Sequence, residues 1–90
     1  MTWRIDYSRD AHKFALKYDI LPETGGLLNK FLLKARGEKI NLDVKKLEGE
    51  WHGYFRIRRG PLRIIFTVDK GCSIIHIEKI DSRGSVYKRK

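Results

Sequence analysis

The sequence predicts an α+β domain of order β-α-α-β-β-β, with two helices packed on one face of an antiparallel sheet. Three observations carry that expectation. Apolar residues recur at helical spacing up to Gly37, then alternate along the chain from about residue 53. The connections between the later strand candidates are so short that those strands can only fold back as hairpins. With 90 residues, the chain suits one domain spanning 1–90 and has no room for a second.

Trp3-Arg4-Ile5-Asp6-Tyr7 alternates apolar and polar residues and reads as a short first strand. Ser8 can cap the helix that follows, where Ala11, Phe14, Ala15 and Tyr18 fall on one face. That helix should end near Asp19, because Pro22 disfavours helix at the residue before it. Pro22 itself suits the first turn of a second helix. Gly25-Gly26 weakens that turn, so a firm start is expected only near Leu27. Leu27, Leu28, Phe31, Leu32 and Ala35 form the second stripe, stopped at Gly37. The stretch GEKINLDVKKLEGEW reads as a polar connection. Strands are expected at 53–59, 62–69 and 73–80, with turns at Gly60-Pro61 and Asp69-Lys70-Gly71.

The formal charge of +9 is unevenly spread. Residues 1–50 hold 10 Lys/Arg against 8 Asp/Glu, a net of +2, whereas residues 51–90 hold 10 against 3, a net of +7. Such an imbalance points to a polyanionic partner, either nucleic acid or an acidic protein. Alternation refines the point. If Phe55, Ile57, Leu62, Ile64, Phe66 and Val68 lie under the helices, then Arg56, Arg58 and Arg63 converge on the opposite, open face. Arg59, at the turn, does not join them. Solvent-facing charge is common on the wet side of a sheet, but like charges on neighbouring strands repel, and the carboxylates near these arginines in sequence are few.

Other function classes are constrained more simply. The lone cysteine, Cys72, allows neither an internal disulfide nor a Cys-based zinc site. No apolar leader and no membrane-length apolar run is visible, so the expected setting is a reducing cytoplasm with no membrane contact. Gly25-Gly26 lies in no GxxxxGK motif and is not a phosphate-binding loop.

Over nearly its whole length the chain resembles the RelE/ParE superfamily of toxins from type II toxin–antitoxin pairs. The resemblance rests on the element order and on Lys46-Leu47-Glu48-Gly49, similar to a K-L-x-G lead-in. It continues through Tyr54-Phe55-Arg56-Ile57-Arg58 and Gly60-Pro61-Leu62-Arg63-Ile64-Ile65-Phe66, similar to YRIRxGxYRxxY. It closes at Ser82-Arg83-Gly84-Ser85-Val86-Tyr87, similar to H-R-x-x-V-Y. RelE-like members cut messenger RNA in the ribosomal A site without a metal. ParE-like members share the fold but inhibit DNA gyrase.

The resemblance to RelE implies roles for particular residues. Arg56 and Arg58 match basic strand residues that grip RNA phosphate, and Arg63 matches the arginine set against the scissile phosphate. Arg83 and Tyr87 match the late arginine and the tyrosine that activates the attacking hydroxyl. With Arg63, these two form the implied catalytic set. Arg59, Tyr54 and Lys88 complete the implied RNA-binding set, Tyr54 as a base-stacking ring and Lys88 as part of a basic tail. The implied partners are a cognate antitoxin, the ribosome and mRNA, with no cofactor. A ParE-like gyrase inhibitor and a catalytically silent RNA-binding relative are the alternative readings. Two departures bear on the chemistry. Arg56 and Arg58 stand where RelE-like enzymes often have lysine, and Ser82 stands where they often have histidine, so the leaving-group acid is unassigned. His52 and His76 are stand-ins for it, and each also suits a structural role.

Overall fold

The computed structural model describes residues 3–82. The elements are β1 (Arg4–Tyr7), α1 (Arg9–Lys17), α2 (Leu21–Ala35), β2 (Asp43–Lys46), β3 (Phe55–Arg59), β4 (Leu62–Asp69) and β5 (Ile74–Ser82). A single 3₁₀ turn, Gly49–Trp51, precedes β3. The five strands form one sheet in the order β1-β5-β4-β3-β2.

Both helices start and stop for identifiable reasons. The Ser8 hydroxyl accepts a hydrogen bond from the Ala11 N–H at 3.1 Å and donates to the Glu78 carbonyl at 2.7 Å. One side chain thus caps α1 and ties it to β5. α1 closes with paired bonds, Asp19 N–H to Leu16 C=O (3.3 Å) and Ile20 N–H to Ala15 C=O (3.0 Å), with Asp19 at φ 55°. α2 closes the same way around Gly37 at φ 102°, a backbone geometry that favours glycine. Here the sequence expectation was too conservative, because α2 begins at Leu21 rather than near Leu27, with Pro22 in its first turn. Thr24 is buried there and its hydroxyl donates to the Ile20 carbonyl at 2.8 Å. Burial of Leu27 and Leu28 one turn later outweighs the entropic cost of two helical glycines. Nothing lies within 4 Å of a Cβ added at Gly26. Gly26→Ala is therefore expected to stabilise the fold by about 0.5–1 kcal/mol, read as a raised denaturation midpoint.

The sheet differs from the expected one in two respects. First, it is mixed: β1 pairs parallel with β5, through Ile5↔Ile75 and Tyr7↔Ile77. The Ser8 contacts to Ile77 and Glu78 fix that polarity, because they anchor the end of β1 beside the middle of β5. Second, the polar connection contains a strand. β2 pairs antiparallel with β3 and places Asp43 opposite Arg58 and Lys45 opposite Arg56.

β3 and β4 join through Gly60-Pro61, with Gly60 at φ 58°, the positive φ that tight hairpin turns of the primed types require. Between β4 and β5 the register shifts at Ile65/Phe66, leaving Glu78 as the extra residue. This bulge lets Ile75, Ile77 and Ile80 all reach one face despite their uneven spacing. They meet Ile57, Leu62, Ile64 and Phe66 from the sheet and Ala11, Ala15, Leu27 and Leu28 from the helices, all buried. Phe66 sits among aromatic neighbours, with its ring centroid 4.9 Å from that of Phe31 and 5.6 Å from that of Phe55. The helices therefore cover one face, and the other face stays open.

Candidate nucleic-acid interface

Register decides what the open face carries. Arg58 and Arg63 lie directly opposite one another on β3 and β4. Asp43 on β2 is opposite Arg58, and Asp81 on β5 is opposite Arg63. One row across the sheet therefore reads Asp43, Arg58, Arg63, Asp81. The next row reads Lys45, Arg56, Ile65, Lys79. The three arginines expected to share a surface do share it.

Asp43 was not foreseen, since its strand was read as a connection. Its Oδ1 accepts from Arg56 Nη2 at 3.2 Å and its Oδ2 from Arg58 Nε at 3.1 Å. A single carboxylate thus holds two guanidinium groups side by side. Asp43 offsets part of the repulsion between the arginines, while one carboxylate among three guanidinium groups leaves the face positive. Arg56 is the most enclosed of the paired arginines, with 18% of its side chain exposed and its Nε buried without a hydrogen-bond partner. Arg63 is half-buried and forms no ion pair among the described residues, so its fork is available to a ligand. Removing the clamp has a defined consequence. Asp43→Ala is expected to cost up to about 1 kcal/mol of stability, the usual ceiling for exposed ion pairs. It should also tighten RNA binding at low salt, a gain that disappears as salt rises. Denaturant titration and fluorescence anisotropy check the two effects.

The remaining sequence candidates separate cleanly. Arg59 is opposite Leu62 and so lies on the helix side, near Lys30 of α2. Tyr54 precedes β3, and its ring meets that of Trp51 edge-on at 5.1 Å. Arg83, Tyr87 and Lys88 lie outside the described residues.

Histidines do not fill the missing acid's place beside Arg63. His76 is on the open face opposite Thr67, with Nδ1 3.9 Å from the Asp6 carboxylate. Thr67 is four residues along β4 from Arg63, roughly 13 Å at strand spacing. His52 lies in the turn after Trp51, also away from Arg63. Ser82 is opposite the buried Leu62, and its hydroxyl is buried toward the helices rather than toward Arg63. Tyr7 is no candidate base either. Burial raises its phenol above the usual pKa of 10.0, the opposite of what a base at neutral pH needs.

A larger cavity, about 680 Å³, opens between α2 and β1. Trp3, Ile5, Leu32 and Leu33 give it an apolar lining in which Arg36 is the one cation, so it does not suit a polyanion. The signals that could have revealed Asp43 and Lys45 were weak, because Val44 is the one apolar residue of β2.

No family model matches the chain, and no curated protein matches it. Solved structures do. A chain of the archaeal RelE–RelB complex from Pyrococcus horikoshii OT3 is 27% identical, over 93% of this chain and 98% of that one, with a TM-score of 0.63. A chain of the RelB–RelE antitoxin–toxin complex from Methanococcus jannaschii is 24% identical, over 92% and 95%, with a TM-score of 0.60. The YoeB/ParE toxin from Agrobacterium tumefaciens is 13% identical, over 90% and 99%, with a TM-score of 0.64. The two helices, the five-stranded mixed sheet and these likenesses agree: the chain has the RelE-like α+β fold.

Proposed function

We propose that this protein is the toxin of a type II toxin–antitoxin pair, acting as a metal-free endoribonuclease on mRNA in the ribosomal A site. The observation that carries the reading is the cation set of the open face, above all the directly opposed pair Arg58 and Arg63. Two opposed arginines destabilise a bare sheet and suit a face that meets phosphate.

The chemistry follows from the residue types. The ribose 2′-OH attacks the adjacent phosphorus, a new P–O2′ bond forms, and the P–O5′ bond breaks. The products are a 2′,3′-cyclic phosphate and a 5′-hydroxyl. Negative charge grows on the non-bridging oxygens as the bond to the 2′-oxygen forms. Arg63 stabilises that charge with fixed donors, and Arg56 and Arg58 hold the flanking backbone. Tyr87, assigned from the resemblance, removes the 2′ proton once neighbouring cations favour its phenolate. Arginine, with a pKa above about 12, is a poor proton donor, so the 5′-oxygen takes its proton from another group or from water.

A cognate antitoxin completes the reading, supported by the RelE–RelB complexes among the structural neighbours. Its task is to cover a strongly basic face, which an acidic or amphipathic segment does.

Because a YoeB/ParE toxin shares the fold, the test has two arms. Purified protein is added to a cell-free translation reaction and, separately, to a gyrase supercoiling assay. The reading expects translation to stop with the message cut and supercoiling to proceed. Intact message with inhibited gyrase reverses it in favour of a ParE-like inhibitor.

A further inference from the structure

Arg59 lies on the helix side of β3, away from the open face, and its position there suggests a second site. It lines a cleft of about 310 Å³ between α2 and the β2 edge, together with Lys30, Asn41 and Arg58. Leu27 and Leu42 form an apolar floor, and Asp43 is the cleft's one carboxylate. We propose that this cleft is a second phosphate site, which holds a backbone phosphate of the RNA strand whose neighbouring nucleotides lie on the open face. The inference rests on the RNA reading above and adds to it a path for the strand around the β2 edge.

Four features support the assignment. Lys30 and Arg59 come from different elements and meet only in the folded chain. Neither forms an ion pair among the described residues, and both oxygens of Asp43 are already engaged by Arg56 and Arg58. Two exposed cations without a carboxylate of their own repel each other and attract an anion. Asn41 adds neutral donors that suit a phosphate oxygen. Arg58 belongs to both surfaces: its Nε is bonded to Asp43 while the cleft includes its side chain. An RNA phosphate chain can thus pass from Arg63 to Arg58 and on to Arg59 without leaving positive charge. An acidic protein segment has charge of the right sign too, but that continuity with the arginine row favours a strand with evenly repeated phosphates.

The test compares wild type with the double variant Lys30→Gln, Arg59→Gln by anisotropy, using single-stranded oligouridylates from the dinucleotide upward across a salt series. Both positions are exposed, and a thermal melt verifies that the variant folds. With the longer oligomers, the slope of log affinity against log salt is expected to flatten by about 0.7, the share of one lost phosphate contact on a single strand. With the dinucleotide, too short to reach both sites, the two proteins should match. An unchanged slope at every length overturns the proposal. So does an equal loss at every length, dinucleotide included, which marks a diffuse field rather than a site. Loss of binding to a polyglutamate peptide with an unchanged RNA slope overturns it in favour of an acidic protein partner. Wild-type protein that binds no RNA at all overturns both this proposal and the endoribonuclease reading, whereas wild type that binds and cuts isolates the failure to the cleft.

Discussion

Arg63→Ala is expected to slow cleavage of ribosome-bound message by roughly 10²–10³-fold, the usual loss when one preorganised donor to a developing oxyanion is removed. The argument starts from position. Arg63 is half-buried near the start of β4 and paired on both sides, with β3 and β5, so the sheet fixes its backbone, and its guanidinium forms no ion pair among the described residues. A donor that needs no reorganisation acts most strongly on charge that appears only in the transition state. Single-turnover cleavage at saturating protein isolates this effect from weaker binding. A stability control separates it from structural damage. Since Arg63 opposes Arg58, removing its charge relieves repulsion, and the variant should melt no lower than wild type. Arg63→Lys keeps the charge but not the fork, so it should recover part of the rate only. A variant that cuts at the wild-type rate removes Arg63 from the mechanism.

Tyr87→Phe is expected to have the largest effect, roughly 10²–10⁴-fold on cleavage with programmed-ribosome binding intact, the range for losing an acid–base group. The residue stands outside the described structure, and its role comes from its place in the closing motif. The substitution keeps the ring and deletes only the hydroxyl, so loss of packing cannot mimic it. The sign of the pH dependence is fixed by the role. A base acts as phenolate, so the wild-type rate should climb as pH rises toward the phenol's pKa, and the variant should lose that climb. An unchanged rate leaves the base elsewhere.

How much of this could be read from the residues varied with how local the signal was. Ser8 as a cap, Gly37 as a stop and Gly60-Pro61 as a hairpin turn are short-range features, and each stands where the sequence placed it. Alternation along β3 and β4 was equally legible, which is why Arg56, Arg58 and Arg63 could be assigned to one face. β2 was missed because a four-residue edge strand with one apolar residue has almost no period to detect. The parallel pairing of β1 with β5 joins residues about seventy positions apart, and no local pattern encodes it. Asp43 was lost with β2, and with it the clamp that lets like charges sit side by side. The uneven spacing of Ile75, Ile77 and Ile80 did record the bulge at Glu78, since only an extra residue returns Ile80 to the core face. Alternation already set Arg59 apart from the other three arginines, and only the resemblance placed it in the RNA-binding set; its parity with Ile57 puts it on the helix side.

The central claim is that the open arginine face performs phosphoryl chemistry on RNA rather than holding it. The most direct measurement is to map message ends in a defined translation system and identify the chemical groups they carry, with wild type and Arg63→Ala side by side. The account predicts new wild-type ends at fixed positions within A-site codons, each pairing a 5′-hydroxyl with an upstream 2′,3′-cyclic phosphate, and a strong loss of those ends in the variant. Stalled ribosomes on message with no new ends, or ends that appear equally with both proteins, would contradict it.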